Sequence, residues 1–388
     1  MLMHIHTVSA GESLHDIAKK YGIPATKIIE NNTLDCPDRL SVGQKLLILT
    51  PTRTYRVRGG DTIDSIAERF SVGRGALIRA NPALSAKRAP RPEQVVAIKY
   101  DTPPHGSALF NGYYYKGCPE ERLKLALAHS SFVTISSHRL KWGVLEEVFD
   151  TKEVLLRVRD AGRAPLLRIY SPDAYEVMSG CRERIIEGIV QRAKGDGYRG
   201  VTLAMSMAEQ SPDFGEMVLE LRRALMAEDL LTVIETDGTN PRLCDLGDLI
   251  VQRYEKCHLN EIPSFEEGER RHYHTYATEC DSTKTFIDLS PFAYSGSDAM
   301  THAEANALAY RQGQEIVYDG ERMICSFEYG RRGRRQCVKY EALENIKAKL
   351  ALVSELGFAG ISFDIMRVPT EHLLLASATF ARAGYAEI

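Results

Sequence analysis

Gly197-Tyr198-Arg199-Gly200-Val201-Thr202-Leu203-Ala204-Met205-Ser206 reads as a β-strand. Val201, Leu203 and Met205 alternate with Thr202, Ala204 and Ser206, and a period of two sends the two sets to opposite faces. Working outward, short apolar runs at 108–114, 132–138, 165–170, 231–237, 248–254, 284–292 and 358–365 read as companion strands. Helices fit between them, for example at 119–128, 180–194, 214–228 and 341–355. Strands alternating with amphipathic helices predict a parallel α/β domain, and eight such units over about 280 residues suit a closed (β/α)8 TIM barrel. The surplus length falls at about 295–340, between the seventh and eighth strands.

The chain of 388 residues is too long for one ordinary domain and suits one large domain with smaller ones beside it. Hydrophobic content of 44% and a net charge of −3 describe a globular chain rather than a disordered one. It contains no apolar run of about eighteen residues, so no membrane-spanning helix is expected. Met1 to His6 lacks the basic start and apolar core of a secretory signal, which predicts synthesis and retention in a cytoplasm. Eight cysteines, at 36, 118, 181, 244, 257, 280, 325 and 337, include no Cys-x-x-Cys pair and are expected to be reduced, buried or idle thiols. The eleven histidines, among them His258, His272, His274 and His302, form no His-x-x-x-His or His-Glu-x-x-His signature. Neither a metal nor a cofactor is expected.

An internal repeat opens the chain. Residues 5–48 carry Ile5-His6-Thr7-Val8, Gly11-Glu12-Ser13-Leu14-His15-Asp16-Ile17-Ala18, Asn31-Asn32 and Leu40 to Ile48. Residues 54–98 carry Tyr55-Arg56-Val57, Gly60-Asp61-Thr62-Ile63-Asp64-Ser65-Ile66-Ala67, Asn81-Pro82 and Val95 to Ile98. Each copy reads strand, helix, helix, strand, with Ser13 and Thr62 as capping hydroxyls ahead of an apolar pattern. Both copies resemble the LysM module, a βααβ fold that binds N-acetylglucosamine glycans such as peptidoglycan and chitin. The resemblance assigns residues 1–50 and 51–100 to two modules. It maps a glycan groove onto Gly11, Glu12, Ser13, Ile29 and Asn31, and onto Gly60, Asp61, Thr62, Ile78 and Asn81. Caps and turn formers are an equally physical reading of the same Asp, Ser, Thr and Asn residues. The second copy departs where Arg88-Ala89-Pro90-Arg91-Pro92-Glu93-Gln94 replaces the Leu-x-x-Gly-Gln of the first. Residues 51–100 hold ten Lys/Arg against four Asp/Glu, which fits a polyanionic partner and a solvated face equally. Residues 99–107, with Pro103-Pro104, read as a stiff linker.

From 107 to 388 the chain resembles glycoside hydrolase family 18, whose fourth barrel strand runs Gly-Tyr-x-Gly-Val-x-x-Asp-x-Glu with acids on its inner face. The fit is to the spore cortical-fragment-lytic branch, which also carries paired N-terminal LysM modules. His302-Ala303-Glu304-Ala305 through Glu315-Ile316-Val317-Tyr318-Asp319 matches that branch's small α+β insertion, and Gly357-Phe358-Ala359-Gly360-Ile361-Ser362-Phe363 its eighth strand. On this alignment the Asp that orients the substrate acetamido group falls on Ala204. The Glu that protonates the leaving oxygen falls on Ser206. A serine hydroxyl offers no usable proton, and loss of a general acid costs on the order of 10²–10⁴ in rate. Tyr254-Glu255 keeps the family's acetamido-binding pair on the sixth strand, behind Gln252-Arg253. The Trp that floors the sugar subsite falls on Asp364, and the one Trp of the chain is Trp142.

Glu209, Glu235, Asp237, Glu255 and Asp364 are the carboxylates placed to act as a relocated acid, and Arg253 and Asp364 are expected to pair across the mouth. Arg331-Arg332-Gly333-Arg334-Arg335 reads as a solvated hairpin tip. The resemblance implies a peptidoglycan- or chitin-binding protein of the endospore coat or cortex with an inactive barrel, with coat proteins as further partners and no nucleic acid or membrane. An active cortex-lytic N-acetylglucosaminidase using another carboxylate is the rival.

Overall fold

A computed structural model describes residues 3–32, 34, 36–85, 90–100, 106–141, 143–170, 182–204, 212–236, 244–253, 262–289, 292–295, 298–331 and 334–383. The two N-terminal repeats fold alike. The first pairs Met3–Thr7 with Lys45–Leu49 around the helices Leu14–Tyr21 and Ala25–Asn31. The second pairs Arg53–Arg56 with Val95–Lys99 around Ile63–Arg69 and Arg74–Ala80. Ser13 and Thr62 each close a capping box, with Asp16 and Ser65 respectively, satisfying backbone donors that a helix start leaves open. The divergent turn of the second copy keeps its backbone design. Val57 accepts from the Glu93 amide and donates to the Gln94 carbonyl, as Val8 does with Gly43 and Gln44, and Glu93 takes the left-handed conformation (φ 69°) that Gly43 adopts (φ 82°).

In both modules one buried asparagine pins the last strand. Asn81 donates to the Leu77 and Ala97 carbonyls and accepts from the Ala97 amide. Asn32 does the same with Ile28 and Leu47, so it, and not Asn31, is the counterpart of Asn81. Asn81→Ala leaves three backbone groups unpaired, and at about 1 kcal/mol or more each the module should loosen measurably. Hydrogen exchange at the Ala97 amide checks this, with Asn32→Ala behaving alike at Leu47 and Asn31→Ala sparing it.

The barrel strands, one to eight in order, are Ser107–Tyr114, Phe132–Lys141, Ala164–Tyr170, Gly200–Ala204, Leu231–Thr236, Leu249–Gln252, Thr285–Asp288 and Gly360–Asp364. Each pairs in parallel with the next, and strand eight returns to strand one from Gly360↔Leu109 to Asp364↔Tyr113, so the barrel is closed. Leu109, Phe132, Leu166, Val233, Val251 and Phe286 fill the interior. Val201 and Leu203 face outward into the helix layer, with Ile189, Val218 and Leu221. Thr202 and Ala204 therefore belong to the inner wall, as the alternation predicts. Gly200 is required where strands four and five touch, since a Cβ there would stand 2.5 Å from the Leu231 carbonyl oxygen.

Strand two runs three residues past its expected end and turns back on Val144–Glu147, a hairpin that the sequence reading lacks; Trp142 lies outside the described residues. The insertion is a five-stranded antiparallel sheet with the helix His302–Arg311 against it. Its strands Ile324–Arg331 and Arg334–Glu341 form a hairpin with Arg331 opposite Arg334, where the basic run was expected to turn. The expectation of unpaired thiols is corrected at Cys244 and Cys280, which form a disulfide across 36 residues of sequence. The end of helix Arg271–Glu279 folds back against the entry to strand six, a proximity that linear spacing does not show. Cys36, Cys118, Cys325 and Cys337 are free, and Cys181 and Cys257 lie outside the described residues.

The first module is docked on the insertion. Ser41 Oγ donates to the Asn306 carbonyl, the Ile316 amide to the Val42 carbonyl, and Lys45 Nζ sits 3.9 Å from the centre of the Tyr318 ring. A Cβ on Gly43 would overlap the Ile316 carbonyl at 1.8 Å, so this contact demands a glycine as much as the turn does. Buried Lys27 joins the two modules, donating to Asn81 Oδ1 at 2.5 Å and to Glu30 at 3.1 Å.

Candidate functional site

The C-terminal ends of barrel strands are where a TIM barrel presents its chemistry. Register places Thr202 between Arg168 of strand three and Val233 of strand five, and Ala204 between Tyr170 and Glu235. Glu235 therefore shares a layer of the wall with Ala204. Arg168 grips Glu235 in a two-pronged pair, Nε to Oε2 and Nη2 to Oε1 at 2.8 Å each, and holds Ser136 Oγ at 3.0 Å through Nη1. Arg253, one residue past strand six, reaches the same Oε1 at 2.8 Å. Both guanidiniums also lie over the Tyr113 ring, at 5.7 Å and 5.3 Å from its centre.

Burial alone would raise the Glu235 carboxyl, but Arg168 and Arg253 outweigh it and hold the group below its ordinary range. Glu235 is thus fixed as a carboxylate, saturated with donors and poor as a proton source. The expected Arg253–Asp364 pair is corrected: Arg253 goes to Glu235, on the neighbouring strand five. Asp364 instead accepts from the Met366 amide at 2.8 Å and lies 3.4 Å from Arg367. Burial, with Asp288 nearby, raises the Asp364 carboxyl above its ordinary value against the pull of those donors. Asp288 itself accepts from Ser362 Oγ at 2.7 Å. Gln252, buried on strand six, lies 3.1 Å from His272 Nε2.

Ser206, Glu209, Asp237, Tyr254 and Glu255 lie outside the described residues. The sequence reading missed Arg168. Its signal was present, since a lone cation inside Ala164–Tyr170, an otherwise apolar parallel strand, requires a buried carboxylate partner.

In the modules, Gly11 and Gly60 occupy left-handed positions in the turn before the first helix (φ 75° and 86°). Glu12 accepts from the Ser9 amide and pairs with His6, and Asp61 accepts from the Arg58 amide and the Tyr55 hydroxyl. Both carboxylates therefore brace their own loops. Burial would raise Glu12, but the Ser9 amide and His6 hold it low, while the Arg58 amide and Tyr55 depress Asp61. Ser13 and Thr62 are caps, Ile29 and Ile78 are half-buried against the module cores, and Asn31 and Asn81 are buried. The loop that carries Gly11 and Gly60 is in each case held rigid, with its outer backbone left exposed.

The LysM domain family matches residues 6–49 and 55–99. Over 393 aligned residues the chain is 23% identical to "Putative sporulation-specific glycosylase YdhD" of Bacillus subtilis (strain 168), covering 91% of this chain and 93% of that protein. The spore cortex-lytic enzyme SleL of Bacillus megaterium QM B1551 superposes with a TM-score of 0.77 at 19% identity, over 98% of this chain and 99% of the other. A chitinase from Chromobacterium violaceum ATCC 12472 superposes with a TM-score of 0.65 at 15% identity, over 71% of this chain and the whole of the other. Two LysM-matching modules followed by a closed (β/α)8 barrel, the fold shared with these structures, is the architecture of this chain.

Proposed function

We propose that this chain is a glycan-binding protein of the endospore coat or cortex, tethered to peptidoglycan by its LysM domains, and that its barrel does not hydrolyse glycosidic bonds. The single observation that most supports the reading is the Arg168–Glu235–Arg253 clamp, which neutralises the buried carboxylate paired in register with Ala204. An assisted hydrolysis needs a carboxyl that holds a proton near the leaving oxygen, and Glu235 is held as its anion. Two weak glycan sites on one chain raise apparent affinity without new contacts. The names of the similar proteins, a sporulation glycosylase and a cortex-lytic enzyme, favour a spore glycan as the ligand.

Incubation with cortex fragments and with an aryl chitobioside should give no turnover, while the protein sediments with insoluble peptidoglycan. Turnover abolished by one carboxylate substitution overturns the inactive barrel. Asp364 is the specific reason to keep the enzymatic reading in view, since its raised carboxyl is the property a general acid needs. Asp364→Asn should therefore leave peptidoglycan binding and the zero rate unchanged; a rate present in the parent and lost in this variant assigns the acid.

A further inference from the structure

A cavity of about 380 Å³ opens where the first LysM domain, the inserted helix His302–Arg311 and the turn after strand eight meet. It is distinct from the groove flanked by Gly11. The turn Ser41–Gln44 is bonded to Val8 on one side and to Asn306 and Ile316 on the other, and the cavity lies on the second side. Its size is that of a small-molecule site.

Three features of its lining point to one kind of ligand. Arg39 and Arg311 are exposed at its rim, from the domain and from the insertion, and neither guanidinium forms an ion pair or hydrogen bond among the described residues. Tyr310, 42% exposed, stands beside Arg311 on the same helix and offers a ring face of the kind sugars stack on. The wall carries two polar groups with no partner among the described residues: Glu371 Oε2 and Nε2 of buried His302. Buried polar groups are ordinarily hydrogen-bonded, so both call for a donor or acceptor brought from outside. Burial pushes the Glu371 carboxyl up to about 7, against the pull of its own backbone amide and of Arg122. Near neutral pH it is therefore only partly ionised, and it repels an anion at the rim less than an ordinary carboxylate would.

We propose that this cavity is a third glycan site, built jointly by the first LysM domain and the insertion, for a saccharide bearing a carboxylate, the chemistry of a muramyl unit. It rests on the glycan-binding reading and adds selectivity for an acidic sugar over a neutral one. The carboxylate sits between Arg39 and Arg311, the ring lies on Tyr310, and a hydroxyl reaches Glu371 and His302. No bond is made or broken.

The full chain is titrated calorimetrically with N-acetylmuramic acid, whose lactyl carboxylate is free, and, separately, with N,N′-diacetylchitobiose. N-acetylmuramic acid should bind more tightly at low than at high salt. The double variant Arg39→Ala/Arg311→Ala should weaken it about tenfold or more, as loss of charge-assisted bonds implies, and leave chitobiose affinity unchanged. Tyr310→Ala, a surface change that keeps both cations, should weaken muramyl binding alone. Equal affinity for both probes, or muramyl binding indifferent to these substitutions, overturns this site while leaving LysM binding intact. Failure of both probes and of insoluble peptidoglycan to bind overturns the glycan reading itself.

Discussion

Glu235→Gln should destabilise the protein by about 3–5 kcal/mol at neutral pH, the size expected when one member of a buried ionic cluster is removed and its partners stay behind. Two guanidiniums converge on this carboxylate, whose side chain is only 6% exposed, and the amide would leave both cations in a low-dielectric wall without a counter-charge. Urea unfolding at pH 7 measures the loss. The pH dependence has a defined sign. Because the folded carboxyl lies below its ordinary 4.5, its contribution is complete above that value and disappears as pH falls through the lower folded value. Parent and variant should therefore converge in acid and diverge above it. Arg168→Met/Glu235→Leu/Arg253→Met, which removes every charge of the cluster, should recover much of the stability. A Glu235→Gln variant as stable as the parent would mean that water reaches the clamp freely, and the case for an inert mouth would lose its support.

How much of this was legible beforehand follows from what each feature depends on. The alternation in Gly200–Ala204 put Ala204 on the face opposite Val201 and Leu203, because period two is local and survives any tertiary context, and the family resemblance named that face as the inner one. The repeat fixed two like modules for the same reason. Asn32 and Asn31 could not be told apart from sequence, since adjacent asparagines at a helix end differ only in which one reaches the strand opposite. The Cys244–Cys280 disulfide and the Glu235 clamp were illegible for a related reason: each joins residues from different strands or helices, and which partner wins depends on depth along the barrel axis. Arg253 had two acids within plausible reach from sequence. It took Glu235 because strands five and six are hydrogen-bonded neighbours, with Thr236 opposite Gln252, whereas Asp364 stands two strands further round.

Lys349→Met should cost a similar 3–5 kcal/mol and act at a distance from either glycan surface. Lys349, 1% exposed on helix Leu343–Glu355, lies 2.9 Å from both oxygens of Glu341 and 3.0 Å from Glu269. Asn345 donates to the other oxygen of Glu269 at 2.8 Å. Burial would lower the ammonium, but the two carboxylates outweigh it and raise the group above its ordinary value. Its stabilisation is accordingly full below the unfolded value near 10.5 and is lost only as pH rises through the higher folded value. Methionine fills the volume yet leaves two carboxylates facing each other, so the variant's stability should partly recover in acid, where one of them takes a proton. Glu341 ends the last strand of the insertion and Glu269 belongs to the helical turn before Arg271, so this one cation fastens the inserted sheet to the barrel's outer layer. Loosening it should displace Arg311 and Tyr310 relative to Arg39, and weaken N-acetylmuramic acid binding at temperatures where the barrel itself remains folded. Circular dichroism and calorimetry on the same sample separate the two effects. Loss of binding only in step with global unfolding would show that the insertion and barrel do not move independently.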